Sequence, residues 1–188
     1  MTSRDRVIAQ TAQNAFGSIT GAEELPELPS SAPGYSPFFT QEDLSLLGRY
    51  SGATVTTTKG AFTIRFDKNA APLTVLNFIL LAKKGFYTGL PFHRVVANFV
   101  IQGGDPLGNG SGGPEHSIRT EVHPSAVYRT GAVGMASAGK DTEGSQWFVT
   151  HCPTPHLDFR YSIFGYTQDR SVIDRVTVGD RILAVTLN

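Results

Sequence analysis

Three stretches carry residue types that could act on a bound ligand. Gly108-Asn109-Gly110-Ser111-Gly112-Gly113 satisfies the G-x-G-x-x-G spacing that lets a backbone approach a pyrophosphate. That use needs a strand before the glycines and a helix after them, yet Pro114 follows and no helical pattern does. The glycines predict a tight surface loop instead. Gly134 to Lys140 comes close to a phosphate-binding loop, but Asp141 stands where a serine or threonine must ligate magnesium. Its carboxylate would also repel phosphate. His151, Cys152 and His156 match no common zinc spacing, and Pro153 and Pro155 hold the segment extended, so no metal is expected. Cys152 is the single cysteine, which excludes an internal disulfide. No G-x-S-x-G elbow offers a serine nucleophile.

The elements that would position any site read as mainly β. Val55–Thr58 and Ala61–Phe66 flank Lys59-Gly60 as a hairpin, with Phe62, Ile64 and Phe66 alternating against Thr63 and Arg65. Short apolar runs follow at Phe92–Val96, Phe99–Gln102, Ala132–Met135, Gln146–Thr150, Tyr161–Gly165 and Ile182–Leu187. Pro72–Lys84 reads as a helix, apolar almost all round, that should plug something rather than lie on water. A second helix is expected over Ser171–Thr177, before Gly179. Eight strands and a buried helix predict a closed antiparallel barrel capped by two helices. Residues 103–130 hold many glycines and few strand signals, and predict a long surface loop.

Composition narrows the partners. The chain has 188 residues, 40% hydrophobic and 17% charged, enough for one globular core. Lys and Arg number 16 and so do Asp and Glu, so no long-range field gathers nucleic acid. The longest apolar runs, such as Phe78–Ala82, fall far short of the ~18 residues of a membrane span.

The stretch Phe92-His93-Arg94-Val95-Val96-Ala97-Asn98-Phe99-Val100-Ile101-Gln102-Gly103-Gly104-Asp105-Pro106 resembles the signature of the cyclophilins, which are peptidyl-prolyl cis-trans isomerases. The resemblance continues through Gly110-Ser111-Gly112-Gly113, Gly134 to Gly139, Gly144 to Phe148, His156-Leu157-Asp158 and Phe164-Gly165. It implies a cyclophilin-like barrel over 51–188, with 1–50 as an extension. Arg94 matches the family's catalytic arginine and Gln102 the glutamine beside it. Phe99, Val100, Phe148 and Leu157 match the pocket for the substrate's proline ring, while Ala136, Ser137 and Gln146 match contacts to the peptide upstream. His93 reads as structural support. Two positions depart from many eukaryotic members: His156 replaces a tryptophan, and Tyr161, as in bacterial members, replaces a pocket histidine. The lost indole implies weak or no cyclosporin binding.

The residues suit that chemistry. Rotation about X–Pro has a barrier of ~18–20 kcal/mol and takes tens to hundreds of seconds unaided. No bond is made or cut, so no cofactor is expected. What is needed is a fixed donor aimed at the nitrogen as it loses conjugation, which binds the twisted state better than either planar isomer. Guanidinium offers donors in a rigid fork. Gln102 is two-sided: its carbonyl can hold Arg94 while its amide meets a substrate oxygen. An acceleration of ~10⁵ requires about 7 kcal/mol of differential stabilisation. The rival from another class is a proline-peptide binding module with the pocket and little turnover, and a weaker third is a holdase acting through apolar surface.

Ahead of the barrel, Arg4–Phe16 could form a short amphipathic helix, and residues 21–39 with Pro26, Pro29, Pro33 and Pro37 read as an extended linker. Leu25-Pro26 or Leu28-Pro29 could act as a pseudo-substrate, although a passive spacer is the favoured reading. Gln41–Leu47 adds a helical turn or two. The expected partners are proline-containing peptides and unfolded proteins, met by a monomer with no nucleic acid or membrane. The sequence does not fix the compartment: a cytoplasmic location is expected if Met1 is the natural start, and a periplasmic or secreted one is open if the chain is a fragment.

Overall fold

The alternation in the hairpin is carried through into three dimensions. The computed structural model describes residues 39–188; the expected helix at Arg4–Phe16, the proline-rich stretch up to residue 38 and the pseudo-substrate dipeptides lie outside the described residues. Strands β1 (Gly52–Thr57) and β2 (Gly60–Phe66) pair antiparallel, and Phe62, Ile64 and Phe66 point into the core while Thr63 and Arg65 face out. Six more strands follow: β3 (Arg94–Val96), β4 (Val100–Gly103), β5 (Ala132–Met135), β6 (Trp147–Thr150), β7 (Ile163–Tyr166) and β8 (Ile182–Leu187). They form one eight-stranded sheet in the order β3-β4-β6-β5-β7-β2-β1-β8, with every pairing antiparallel.

The sheet curls round its core without a full ladder between its end strands. β3 and β8 do not pair with each other. The gap is spanned by the segment ahead of β3: Phe92 donates to the Asp180 carbonyl at 2.8 Å, Ile182 to Leu90 at 2.9 Å, and Pro91 bridges Arg181. A proline fits there because it has no amide to offer a ladder. The expected barrel is thus a curled sheet that these few bonds draw together.

Helix α2 (Pro72–Lys83) behaves as its composition requires. Proline occupies the first turn, where its missing amide costs nothing, and Thr74 to Ile79 are all buried. It packs against the aromatic core around Trp147, which is fully buried and makes edge contacts to Phe62, Phe78, Tyr87 and Phe92. Helix α1 (Gln41–Arg49) starts where expected, fixed by a capping box between Thr40 and Asp43, and runs two residues further than the expected Gln41–Leu47; Leu46 is buried in the core it shares with α2. Helix α3 (Arg170–Ile173) is shorter than the expected Ser171–Thr177; the chain continues in turns to Gly179, which has φ 92°.

Of the glycine-rich stretch 103–130, Gly103 ends β4 and residues 104–130 hold neither helix nor strand, yet they are tied down. Asp105 accepts amide hydrogens from Leu107, Asn109 and Gly110, folding the chain back at the glycines. Further on, Glu121 caps α2, accepting from the amides of Leu73 (3.1 Å) and Thr74 (2.7 Å) and from the Thr74 hydroxyl (2.8 Å). Ala71, at the helix N-cap, has no side chain able to do this. Glu121→Ala should therefore lower stability by about 1 kcal/mol, the usual cost of a lost cap, read as a lower urea midpoint with unchanged slope.

Candidate active site

Strand register builds the site one row at a time. Arg94 on β3 lies opposite Gln102 on β4, Gln102 opposite Phe148 on β6, and Phe148 opposite Gly134 on β5. Because side chains alternate faces, all four belong to the outer face. The neighbouring row, Val95, Ile101, Val149 and Val133, faces inward, and its last three members are fully buried. One core-facing row thus fixes the adjacent functional row, since a one-residue slip would exchange them.

Hydrogen bonds run along that outer face. Arg94 Nη1 donates to Gln102 Oε1 at 3.3 Å, and Gln102 Nε2 donates to Gln146 Oε1 at 3.1 Å. Gln146 Nε2 donates in turn to the carbonyls of Gly110 (3.0 Å) and Gly112 (2.8 Å). The carbonyl of Gln102 holds Arg94 as expected. Its amide, expected to meet substrate, instead donates to Gln146, whose own donor is committed to the glycine loop so that its carbonyl oxygen turns toward Gln102. Gly112 must lack a side chain here, because a Cβ would collide with the Asp105 carboxylate that holds this loop.

Phe99 leaves the turn between β3 and β4, in which Asn98 adopts φ 57° and the Phe99 amide donates to Val96 at 3.0 Å. The Arg94 guanidinium lies 5.6 Å from the centre of the Phe99 ring, and His156 stacks on the same ring at 5.5 Å. His156 and Leu157 come from the short 3₁₀ turn Pro155–Leu157. Phe148 is stacked on the buried Tyr128 at 5.5 Å and meets Tyr161 edge-on at 5.9 Å. Together these side chains enclose a cavity of 270 Å³ lined by Phe99, Val100, Phe148, Leu157 and Tyr161 on its apolar side. Arg94 and Gln102 form its polar edge, with Ala136 and Ser137. A second cavity of 390 Å³ adjoins it, bounded by the glycine loop, Gln146, Ala136 and Ser137.

The expected site residues thus converge, apart from two. His156 stands at the rim, stacked on the outside of Phe99. His93 lies behind the row with both ring nitrogens buried. Burial holds its pKa below the ordinary 6.5, with the Asp105 carboxylate opposing. Burial lowers His116 in the same way. A histidine depressed in the folded state is protonated first in the unfolded chain, so both withdraw stability as pH falls below about 6.5. The thermal midpoint should fall between pH 7 and pH 5.5, and His93→Gln should flatten part of that dependence.

His151, Cys152 and His156 do not converge. His151 Nδ1 lies 2.9 Å from Asp174, the Cys152 thiol donates to the Asn98 carbonyl at 2.9 Å, and His156 faces Phe99. Two contributors were missed by sequence reasoning. Tyr128 supports Phe148 from inside the long loop, where no periodicity flags it. Asp105 organises the glycines, and its place ahead of Pro106-Leu107-Gly108-Asn109-Gly110 was a legible turn signal.

Comparisons with known proteins agree with this geometry. The family model for cyclophilin type peptidyl-prolyl cis-trans isomerases matches residues 53–180. A peptidyl-prolyl cis-trans isomerase of Helicobacter pylori is 45% identical over 146 residues, covering 76% of this chain and 90% of its own. Peptidyl-prolyl cis-trans isomerase B of Bacillus subtilis is 53% identical over 97 residues, covering 51% of this chain and 68% of its own. The crystal structure of a Cryptosporidium parvum cyclophilin type isomerase, solved in the presence of the dipeptide Ala-Pro, superposes with a TM-score of 0.69 at 29% identity. That match covers 73% of this chain and 98% of that one. Matched in sequence and in fold over most of its length, the chain belongs to the cyclophilin-type peptidyl-prolyl cis-trans isomerases.

Proposed function

We propose that this isomerase lowers the X–Pro barrier through Arg94, with the proline ring seated in the 270 Å³ cavity. The observation that carries this reading is a guanidinium, held from behind by Gln102, at the edge of a recess whose other walls are Phe99, Val100, Phe148, Leu157 and Tyr161. At that volume the recess suits one ring, below the about 300–1,000 Å³ of sites that take a whole drug-sized ligand. Ring burial expels water, and a donor beside an apolar seat is worth more than one in bulk solvent. As the amide twists, its nitrogen regains a lone pair, and Arg94 supplies the hydrogen bond that neither planar isomer can accept. Ala136, Ser137 and Gln146 line the neighbouring cavity and receive the residues before proline. The substrates are proline-containing segments of peptides and unfolded proteins, and the chain acts as a monomer.

Exchange spectroscopy on a short Ala-Pro peptide tests this directly, since it needs no coupling protease. Fast exchange at catalytic protein concentration is the expected result. Slow exchange with the peptide still bound would make the chain a proline-recognition module.

Cyclosporin should bind weakly. His156 offers only a small ring, already stacked on Phe99, where an indole face and its N–H donor would stand. His156→Trp should tighten inhibition at least tenfold, about 1.4 kcal/mol of added contact. Nanomolar inhibition of the parent would sink this assignment.

A further inference from the structure

Tyr161 and Ser137 are a party wall. On one side lies the proline cavity, and on the other a separate recess of 490 Å³ that the isomerisation reaction does not use. Its remaining walls combine apolar and cationic groups. Val122 and Phe159 are 46% and 60% exposed, and Lys140 and Arg160 stand beside them. Among the described residues, neither cation is engaged in an ion pair. The acids beside them in sequence are held by backbone amides and form no ion pair with these cations: Asp141 accepts the amide of Thr120, itself a wall of the recess, at 3.0 Å, and Asp158 the Tyr128 amide at 2.7 Å. The recess thus sets two cations without an ion-pair partner among the described residues beside apolar walls, with the Asp141 carboxylate held against its Thr120 side.

Backbone strain adds an independent observation. Asp158 has φ −57° and ψ 139°, Phe159 has φ 61°, and the Arg160 amide donates to the Leu157 carbonyl at 3.1 Å. This is a type II turn with Phe159 at the position that requires positive φ and favours glycine. An aromatic residue is costly there, and one this exposed recovers little by burial. Strain that folding does not repay points to use of the side chain.

We infer that this recess is a second seat for the substrate chain, selecting prolines whose flanking residues include a carboxylate beside an apolar side chain. It rests on the reading that the adjoining cavity takes the proline ring. The carboxylate meets Lys140 and Arg160, and its apolar neighbour lies against Phe159 and Val122. The two cations are exposed, so each contact contributes at the modest level of a screened ion pair, and selection between substrates is the expected result rather than tight binding.

The test compares exchange rates for one Ala-Pro peptide series with alanine, glutamate or lysine placed two to four residues from the proline on either side. In the parent, at low salt, the best glutamate peptide should exceed its alanine counterpart about two- to tenfold in kcat/KM, with lysine lowest. In the double variant Lys140→Glu with Arg160→Glu, that order should invert while the all-alanine peptide keeps its rate. Phe159→Gly should raise the unfolding temperature and erase the advantage of an apolar residue next to the glutamate. Equal rates for glutamate and lysine peptides in the parent, or an acid preference that survives the double charge reversal, would overturn the inference. A lower unfolding temperature for Phe159→Gly would remove the strain argument and count against it. Failure of the parent to turn over even the all-alanine peptide would instead strike at the proline-cavity reading beneath it.

Discussion

Arg94→Ala should lower kcat/KM for X–Pro exchange by about 10²-fold or more and leave the fold intact. The first half follows from the size of comparable effects: removing one donor aimed at transition-state charge typically costs about 10²–10³, or roughly 2.7–4 kcal/mol. The second follows from position. Arg94 is exposed on an end strand, and its one side-chain hydrogen bond among the described residues, to Gln102, is 3.3 Å long. Losing it costs stability no more than about 1 kcal/mol. Because the guanidinium acts on the twisted amide and the ring pocket binds both isomers, the loss should appear in kcat with KM little changed. Arg94→Lys should fall between the two, keeping the charge without the planar fork that Gln102 steadies. Exchange within threefold of the parent, in a variant with native circular dichroism, would sink the role assigned to Arg94.

The sequence placed the strands and named the candidate residues, but did not show which strands are neighbours. Strand positions came from alternation, and Ala132–Met135 and Ile182–Leu187 needed no adjustment because apolar runs bounded by glycine or turn residues leave few alternatives. The order β3-β4-β6-β5-β7-β2-β1-β8 was not legible, since periodicity assigns faces and says nothing of neighbours. The row Arg94–Gln102–Phe148–Gly134 shows why that matters. Its members lie up to 54 positions apart in sequence and meet only through register, so without the resemblance only Arg94, Phe99 and Gln102 were close enough to be read together. The hydrogen-bond direction at Gln102 was half legible. An amide's two ends are evident from its chemistry, but which end faces Arg94 depends on what the glycine loop does to Gln146. The closed barrel expected from eight strands was overstated: β3 and β8 share no ladder, and residues 89–92 bridge the gap by isolated bonds that have no pattern in the sequence.

Gly134→Ala should damage both stability and substrate binding, and the two losses have one cause. A Cβ at residue 134 would collide with the Tyr128 hydroxyl and stand 2.7 Å from Phe148 Cζ. Phe148 has little room to yield, being stacked on Tyr128 on one face and met edge-on by Tyr161. Overpacking of this kind costs about 1–3 kcal/mol, read as a lower urea midpoint. What movement remains open to the Phe148 ring is outward, into the cavity it floors. The proline seat then shrinks, and KM should rise several-fold, opposite to the kcat loss at Arg94. A second substitution separates this account from general damage. The Tyr128 hydroxyl is buried with no hydrogen-bond partner, so Tyr128→Phe should cost little alone while removing the atom that a Cβ strikes first. Added to Gly134→Ala, it should restore part of both stability and KM. If it restores neither, the tolerance for glycine alone at residue 134 has another origin, and Phe148 is not the link between the strand row and the proline seat.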